Sequence, residues 1–160
     1  PPPPIFLLIR RPPRSTLDRS SAASDVIKRL TKVLTDILDI TDAVVSVLEE
    51  SKITSGILHA FVTGSTAGLT TIEYEDGAIL DLKDAFDRIA PMDIDYSHNE
   101  RWGDGNGFSH IRASLLGPSL SVPIRNGSLQ LGAWQQVVLV DFDNRSRERT
   151  VVISVQGESS

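Results

Sequence analysis

Cysteine is absent from the 160-residue chain, which removes disulfide staples, thiolate metal sites and cysteine nucleophiles together. Any bound metal must then be held by His, Asp, Glu or water. Long apolar runs are missing too: no stretch approaches the roughly 18 to 20 residues that cross a bilayer as a helix. Positive charge is scarce, with 16 Lys and Arg against 21 Asp and Glu, a formal net charge of -5 and a pI near 5.1. Nucleic-acid backbones and anionic lipid surfaces require clustered Lys and Arg, so neither nucleic acid nor membrane is expected as a partner. A phosphorylated small molecule needs only a few local donors and stays within the range of this composition. No G-x-S-x-G elbow occurs, which leaves a serine-hydrolase triad without support. The glycines of RWGDGNG, residues 101–107, come after a loop rather than a strand, unlike a dinucleotide-binding turn.

What is present is enough for one domain with an apolar core: 40% hydrophobic residues against 23% charged, in a length typical of a single domain. Its expected location is the cytoplasm. Residues 1–20, PPPPIFLLIRRPPRSTLDRS, differ in character from the rest of the chain. IFLLI is shorter than the 7 to 15 apolar residues, roughly, of a secretory signal. Tandem prolines favour polyproline II and would suit an SH3-type partner. The string IRRPPRSTL resembles the conceptual translation of a sequencing adaptor, so the segment is read as a non-native or disordered leader and the domain as residues 31–158.

After a polar link of Ser and Ala, the β-branched positions of Thr31 to Ile40 predict a strand. Thr41 is then placed to cap a helix over residues 42–50, whose Val44, Val47 and Leu48 have helical spacing. The nearly continuous apolar run Ile57 to Val62 predicts a central strand covered on both faces. Leu69 to Tyr74 reads as a further strand, and Ile79, Leu82, Phe86 and Ile89 define one face of a helix that Pro91 stops. The segment from Pro91 to Phe108 lacks a period and is rich in polar groups, the kind of long connection that carries binding or catalysis. A short helix over residues 109–116, with Ser109 as its cap, precedes a meander in which Asn126-Gly127 marks a type I′ hairpin turn. A last strand is expected over residues 150–156. Five or six strands with two or three helices imply an α+β domain whose largely antiparallel sheet curls toward a barrel.

The chain has three histidines, His59, His98 and His110, and the last two bracket the polar loop. Imidazole nitrogens with Asp93, Asp95, Glu100 or Asp104 would make a nitrogen and oxygen metal set or an acid-base pair; the plainer alternative is two solvated loop side chains. His59, inside an apolar strand, reads first as a hydrogen-bonded core histidine and second as a ligand. GSTAGLT, residues 64–70, offers the hydroxyls of Ser65, Thr66 and Thr70 and glycine-exposed backbone N–H groups, which suits a phosphate, although without the lysine and spacing of a P-loop a packed strand crossing is the favoured reading. Glu73 reads either as a carboxylate ligand or general base, or as a solvent-facing strand residue. Trp134 and Gln135 would line a pocket, or Trp134 would pack in the core or a subunit interface.

Taken together, DILDITD, GSTAGLTTIEYE, YSH, SHIRASLLGPSLSVPIRNGSLQLGAWQQVVLVDFDNR and VVISVQGE span nearly all of the chain after the leader. In this order they resemble the YjbQ-type family, often labelled secondary thiamine-phosphate synthase, and especially its members with GSTA and RWGDGNG motifs. The resemblance implies a YjbQ-like α+β fold, a homotrimer, and histidines that bind a divalent metal such as zinc. It places His98 and His110 as metal ligands and Glu73 and Asp104 as catalytic carboxylates, and the hydroxyls of Ser65 and Thr66, read from the turn itself, are expected to contact a phosphate. The implied enzyme is a transferase joining a pyrimidine pyrophosphate to a thiazole phosphate with release of pyrophosphate. A non-enzymatic trimer binding a phosphorylated metabolite and a metal-dependent hydrolase are the alternatives. Many relatives read HTSAS or HTTAG where this chain reads GSTAG, so Gly64 stands where they carry a further histidine.

Overall fold

A computed structural model describes residues 20–32 and 34–159. The leader read over residues 1–20 lies outside them except for Ser20, as does Val33. Among the described residues the order is β1 (Ser20–Leu30), β2 (Asp36–Asp39), α1 (Thr41–Ser51), β3 (Ile53–Thr63), β4 (Ala67–Ile72), α2 (Asp76–Ile89), α3 (Ser97–Trp102), α4 (Gly107–Leu116), β5 (Ser119–Arg125), β6 (Ser128–Leu129), β7 (Gln136–Asp141) and β8 (Glu148–Ser159). The expected α+β architecture is present, as a curled antiparallel half-barrel with four helices.

Two sheets form it. One has the order β1-β8-β3-β5-β6 and the other β2-β7-β4, with every pairing antiparallel. The Ser and Ala stretch read as a polar link is instead β1, paired residue by residue with β8 from Ser20 opposite Glu158 to Leu30 opposite Glu148. Its polar sequence hides the strand because, among its described side chains, only Ile27 is buried in the core; backbone pairing with β8 supplies what side chains do not. Of the expected strand over residues 31–40, only β2 forms. Thr41 does not cap α1: Ile40 occupies the cap position without a side-chain bond, and the Thr41 hydroxyl donates to Asp39 Oδ1 at 2.6 Å.

The strand covered on both faces is β7, not β3. Val137 and Leu139 join the core between the sheets, with Leu58, Val62, Leu69, Val151 and Ile153 and with Val44, Val47 and Leu48 of α1. Val138, Val140 and Phe142 join a second core, where Phe86 of α2 and Ala113 of α4 cover the outer face of the three-stranded sheet. In β3, by contrast, burial alternates: Leu58, Ala60 and Val62 face inward, while Ile57 and Phe61 remain 43% and 41% exposed on the outer face. His59 shares that exposed face, with Nδ1 2.9 Å from Ser121 Oγ, so it is not a core histidine.

In the last third, Asn126 and Gly127 take positive φ angles of 52° and 70°, as the turn chemistry predicts. The expected second hairpin strand breaks after Leu129, however, and β7 crosses to the other sheet. On the helical layer, Phe142 meets the Phe86 ring edge-on at a 4.7 Å centroid distance. Replacing Phe142 with Ala is expected to lower stability by about 3–5 kcal/mol, the usual cost of emptying a buried aromatic site. Urea unfolding measures it, and a loss below about 1 kcal/mol would mean that this second core does not hold the helices to the sheet.

Candidate functional site

The segment between α2 and α4 turns on a few local bonds. Tyr96 donates its hydroxyl to the Pro91 carbonyl at 2.7 Å, and α3 begins at the next residue. Gly103 ends α3 in the left-handed conformation, its N–H bonded to the Asn99 carbonyl, and so returns the chain toward the helix it has just left. Asp104 Oδ2 consequently lies 3.3 Å from His98 Nε2. The start of α4 is fastened to α3 when Gly107 N–H donates to Asn99 Oδ1 at 2.8 Å. A Cβ at residue 107 would lie 2.5 Å from Tyr96 Cβ, so this close approach requires glycine. With the two helices so joined, the rings of His98 and His110 sit with centroids 4.4 Å apart and planes tilted by 50°. Buried Asn106 stands beside them; with its amide nitrogen turned to the carboxylate it donates to Asp104 Oδ1 at 3.1 Å.

The facing wall comes from the sheets. Arg149, at the start of β8, donates through Nε and Nη2 to the two oxygens of Asp141, at 2.6 and 2.5 Å. Its Nη2 also reaches Thr66 Oγ1 at 2.6 Å. Thr66 donates in turn to Asp143 Oδ2 at 3.0 Å, and Arg147 Nε donates to the same oxygen at 2.8 Å. Burial pushes the Asp143 carboxyl up, but the bonds from Arg147 and Thr66 and the positive charges of Arg147 and Arg149 outweigh it and hold the group below the ordinary aspartate value. Asp143 Oδ1 is buried and has no hydrogen-bond partner among the described residues.

Between the two walls lies an open cleft of about 420 Å³, lined among others by Gly64, Ser65, His98, Trp102, His110 and Arg147. It brings together His98, His110, Asp104, Ser65 and Thr66. Thr66 is buried with its hydroxyl already engaged, whereas Ser65 is exposed. Glu73 is not in this cleft: it comes after β4, at the end opposite Thr66, and lines a separate depression with Asp39, Tyr74 and Trp134. Trp134 is 73% exposed and enters neither core within the chain. Ser109, expected as a helix cap, is fully buried inside α4 and donates to the Phe142 carbonyl at 2.6 Å.

Asp143, Arg147 and Arg149 line the cleft without having been singled out from the sequence. A signal is there: Asp141, Asp143, Arg145, Arg147 and Arg149 are charged at every second position, the period that puts alternate side chains on one side of an extended chain. At Gly64, φ is +141°, and a Cβ would sit 2.9 Å from Arg149 Nη1. An imidazole there would have to displace the arginine. For a metal, His98 and His110 offer nitrogen donors, but no group of three or more His, Asp or Glu is disposed to hold an ion among the described residues.

Fold and cleft define a small α+β half-barrel protein with a paired-histidine cleft between its helical layer and the seam of its two sheets. The chain belongs to the UPF0047 protein YjbQ-like family, whose model matches residues 27–158. It is 39% identical over 123 residues to a UPF0047 protein of Methanothermobacter thermautotrophicus, covering 77% of this chain and 84% of that protein. It is 34% identical over 123 residues to YugU of Bacillus subtilis, covering 76% and 90%. Among solved structures, a YbjQ-like protein of unknown function from Sulfolobus solfataricus superposes with a TM-score of 0.83 at 32% identity, covering 87% of this chain and 99% of that one. No helix among the described residues is long and apolar enough to cross a membrane.

The depressed Asp143 carboxyl gives a pH prediction. A group whose folded pKa is lowered contributes stability that is present above its unfolded value and is lost as pH falls through the folded one. Asp143→Asn should therefore cost about 1 kcal/mol at pH 7, because it takes the counter-charge from Arg147, whose outer end is screened by water, while Arg149 keeps both oxygens of Asp141. The deficit should shrink as the native protein is taken below the ordinary aspartate value of 3.8. Urea midpoints of both proteins from pH 7 to 3 check it, and a constant gap across that range would contradict the account.

Proposed function

We propose that the cleft is the active site of a cytoplasmic small-molecule enzyme that acts on a phosphorylated substrate, with His98 and His110 moving protons and Asp104 orienting His98. The carrying observation is the convergence of the two imidazoles, 4.4 Å between centroids, with a carboxylate on one of them, in a single open cleft. A hydrogen-bonded carboxylate fixes the tautomer and direction of a histidine, the arrangement proton transfer uses. The cleft volume of about 420 Å³ suits a small ligand. At its rim Arg147, held through Nε and 44% exposed, keeps its terminal nitrogens free of partners among the described residues; with the exposed Ser65 hydroxyl it supplies donors for a phosphate.

In the form the resemblance implies, the thiazole-phosphate nitrogen forms a carbon–nitrogen bond as the carbon–oxygen bond to pyrophosphate breaks, and a protonated histidine steadies the departing oxygen. Glu73 has no role in this cleft. A second reading, a divalent ion held jointly by His98, His110 and ligand oxygens, draws on the same approach of the rings.

A homotrimer completes the proposal. Val26, Ile57 and Phe61 leave exposed apolar side chains on the outer face of the five-stranded sheet, and the neighbouring positions His59, Ser121 and Ser154 carry no formal charge to oppose contact with a second copy.

The purified protein should form thiamine phosphate from its two precursors, and His98→Ala or His110→Ala should slow it by about 10²- to 10⁴-fold with the fold intact by circular dichroism. No product above background from the folded native protein would reject that reaction. Metal content separates the two readings: stoichiometric metal that disappears in the double variant supports the joint ion, and metal-free turnover supports proton transfer alone. Sedimentation should give three times the chain mass of 17.5 kDa, and Phe61→Glu should dissociate the assembly; a native monomer would remove the trimer from the proposal.

A further inference from the structure

Trp102 has no part in the chemistry above, yet it lines the same cleft. It is 67% exposed, an unusual state for a side chain with so much apolar surface to bury. The other described side chains lining the cleft are small, charged or polar, so Trp102 is the one large apolar surface among them. It ends α3, four residues after His98, a spacing that places two side chains on the same face of a helix. The left-handed cap at Gly103, bonded to Asn99, fixes the end of that helix. The Arg101 guanidinium carbon stands 5.6 Å from the indole centroid, within cation–π distance of the ring. The cleft thus has hydroxyl and guanidinium donors at Ser65 and Arg147, proton-transfer groups at His98 and His110, and a wide π surface at Trp102.

We infer that Trp102 is a specificity residue, a stacking platform for a planar heteroaromatic ring carried by the phosphorylated substrate. The inference rests on the reading of the cleft as a phosphate-ester site and adds the residue that would recognise the substrate's ring. A ring stacked on an indole gains dispersion and sheds water without needing hydrogen-bond partners, so Trp102 selects for a planar ring while Ser65 and Arg147 hold the anion. A non-aromatic phosphate of similar size gains only the second contribution.

Calorimetric titration with adenosine 5′-monophosphate and pyridoxine 5′-phosphate, against ribose 5-phosphate, tests this. In the native protein at least one planar-ring phosphate should bind about tenfold or more tightly than ribose 5-phosphate, the scale of one stacked base. Trp102→Ala should abolish that preference while leaving ribose 5-phosphate affinity within about twofold, and Trp102→Phe should keep part of it. Arg147→Ala should weaken every phosphate alike. The chain has two tryptophans, so in a Trp134→Phe background the fluorescence of Trp102 alone should be quenched by the planar-ring ligands and not by ribose 5-phosphate. Equal binding of all three by the native protein, or a preference that survives Trp102→Ala, would overturn the role of Trp102 and leave the phosphate site standing. Binding of none of them would overturn both.

Discussion

Arg149 is buried against Asp141, and this ion pair clamps the two sheets together where the cleft opens. Asp141 closes β7 of the three-stranded sheet and Arg149 lies near the start of β8 in the five-stranded one. Taking two charges out of water is costly, and the cost is offset only when geometry is good and the remaining donors and acceptors are satisfied. Here the guanidinium meets both carboxylate oxygens, Thr31 donates to Asp141 Oδ2 at 2.5 Å, and Thr66 accepts from the guanidinium. The residue before β4, the connection after β1 and the ends of β7 and β8 are thereby fixed at one point. Ser65 and Gly64 precede that point in the chain, and Asp143 and Arg147 lie between its two charges. The sheet wall of the cleft takes its shape from the pair.

The helical wall depends on a second buried guanidinium. Arg112 donates through Nε and Nη2 to the Ala90 carbonyl, at 2.9 and 2.7 Å, through Nη1 to Thr35 at 3.0 Å, and through Nη2 to Asp87 at 2.6 Å. Its guanidinium carbon also lies 5.0 Å from the Phe108 ring centroid. These bonds satisfy the carbonyl that α2 exposes at its end and tie α4 to α2. His110 is two residues from Arg112 and one from Ser109, whose bond to Phe142 fastens α4 to β7 and its apolar layer. The imidazole is therefore set by contacts on both sides of it in sequence, while His98 depends on the lighter attachment of α3 through Asn99 and Asp104.

Much of the frame is legible in the sequence because it rests on periods and turn chemistry. The stripe of α1, the stop at Pro91, the Asn126-Gly127 turn and the antiparallel α+β class all come from local pattern. The departures have physical causes. Apolar runs at Ile57 to Val62 and Val137 to Val140 look alike in sequence, and what separates them is which face a helix covers. β1 is invisible to apolar periodicity because pairing with β8, not apolar side chains, holds it. Thr41 and Ser109 have the residue types of helix caps, but Asp39 and Phe142 take up their hydroxyls instead.

For the cleft, the sequence determined the supply of chemistry: no thiol, few histidines, a polar loop between His98 and His110, and hydroxyls after Gly64. Residue type and near-neighbour spacing are local properties, and family resemblance extends them to the order of whole motifs. Tertiary structure decided which of those groups meet. It set His98 beside His110 by joining α3 to α4, and left Glu73 at the far end of β4. It buried Thr66 beneath Arg149 and added Arg147 and Trp102 to the walls. Such juxtapositions depend on how sheets and helices pack over long separations in sequence, and no period along the chain records that distance.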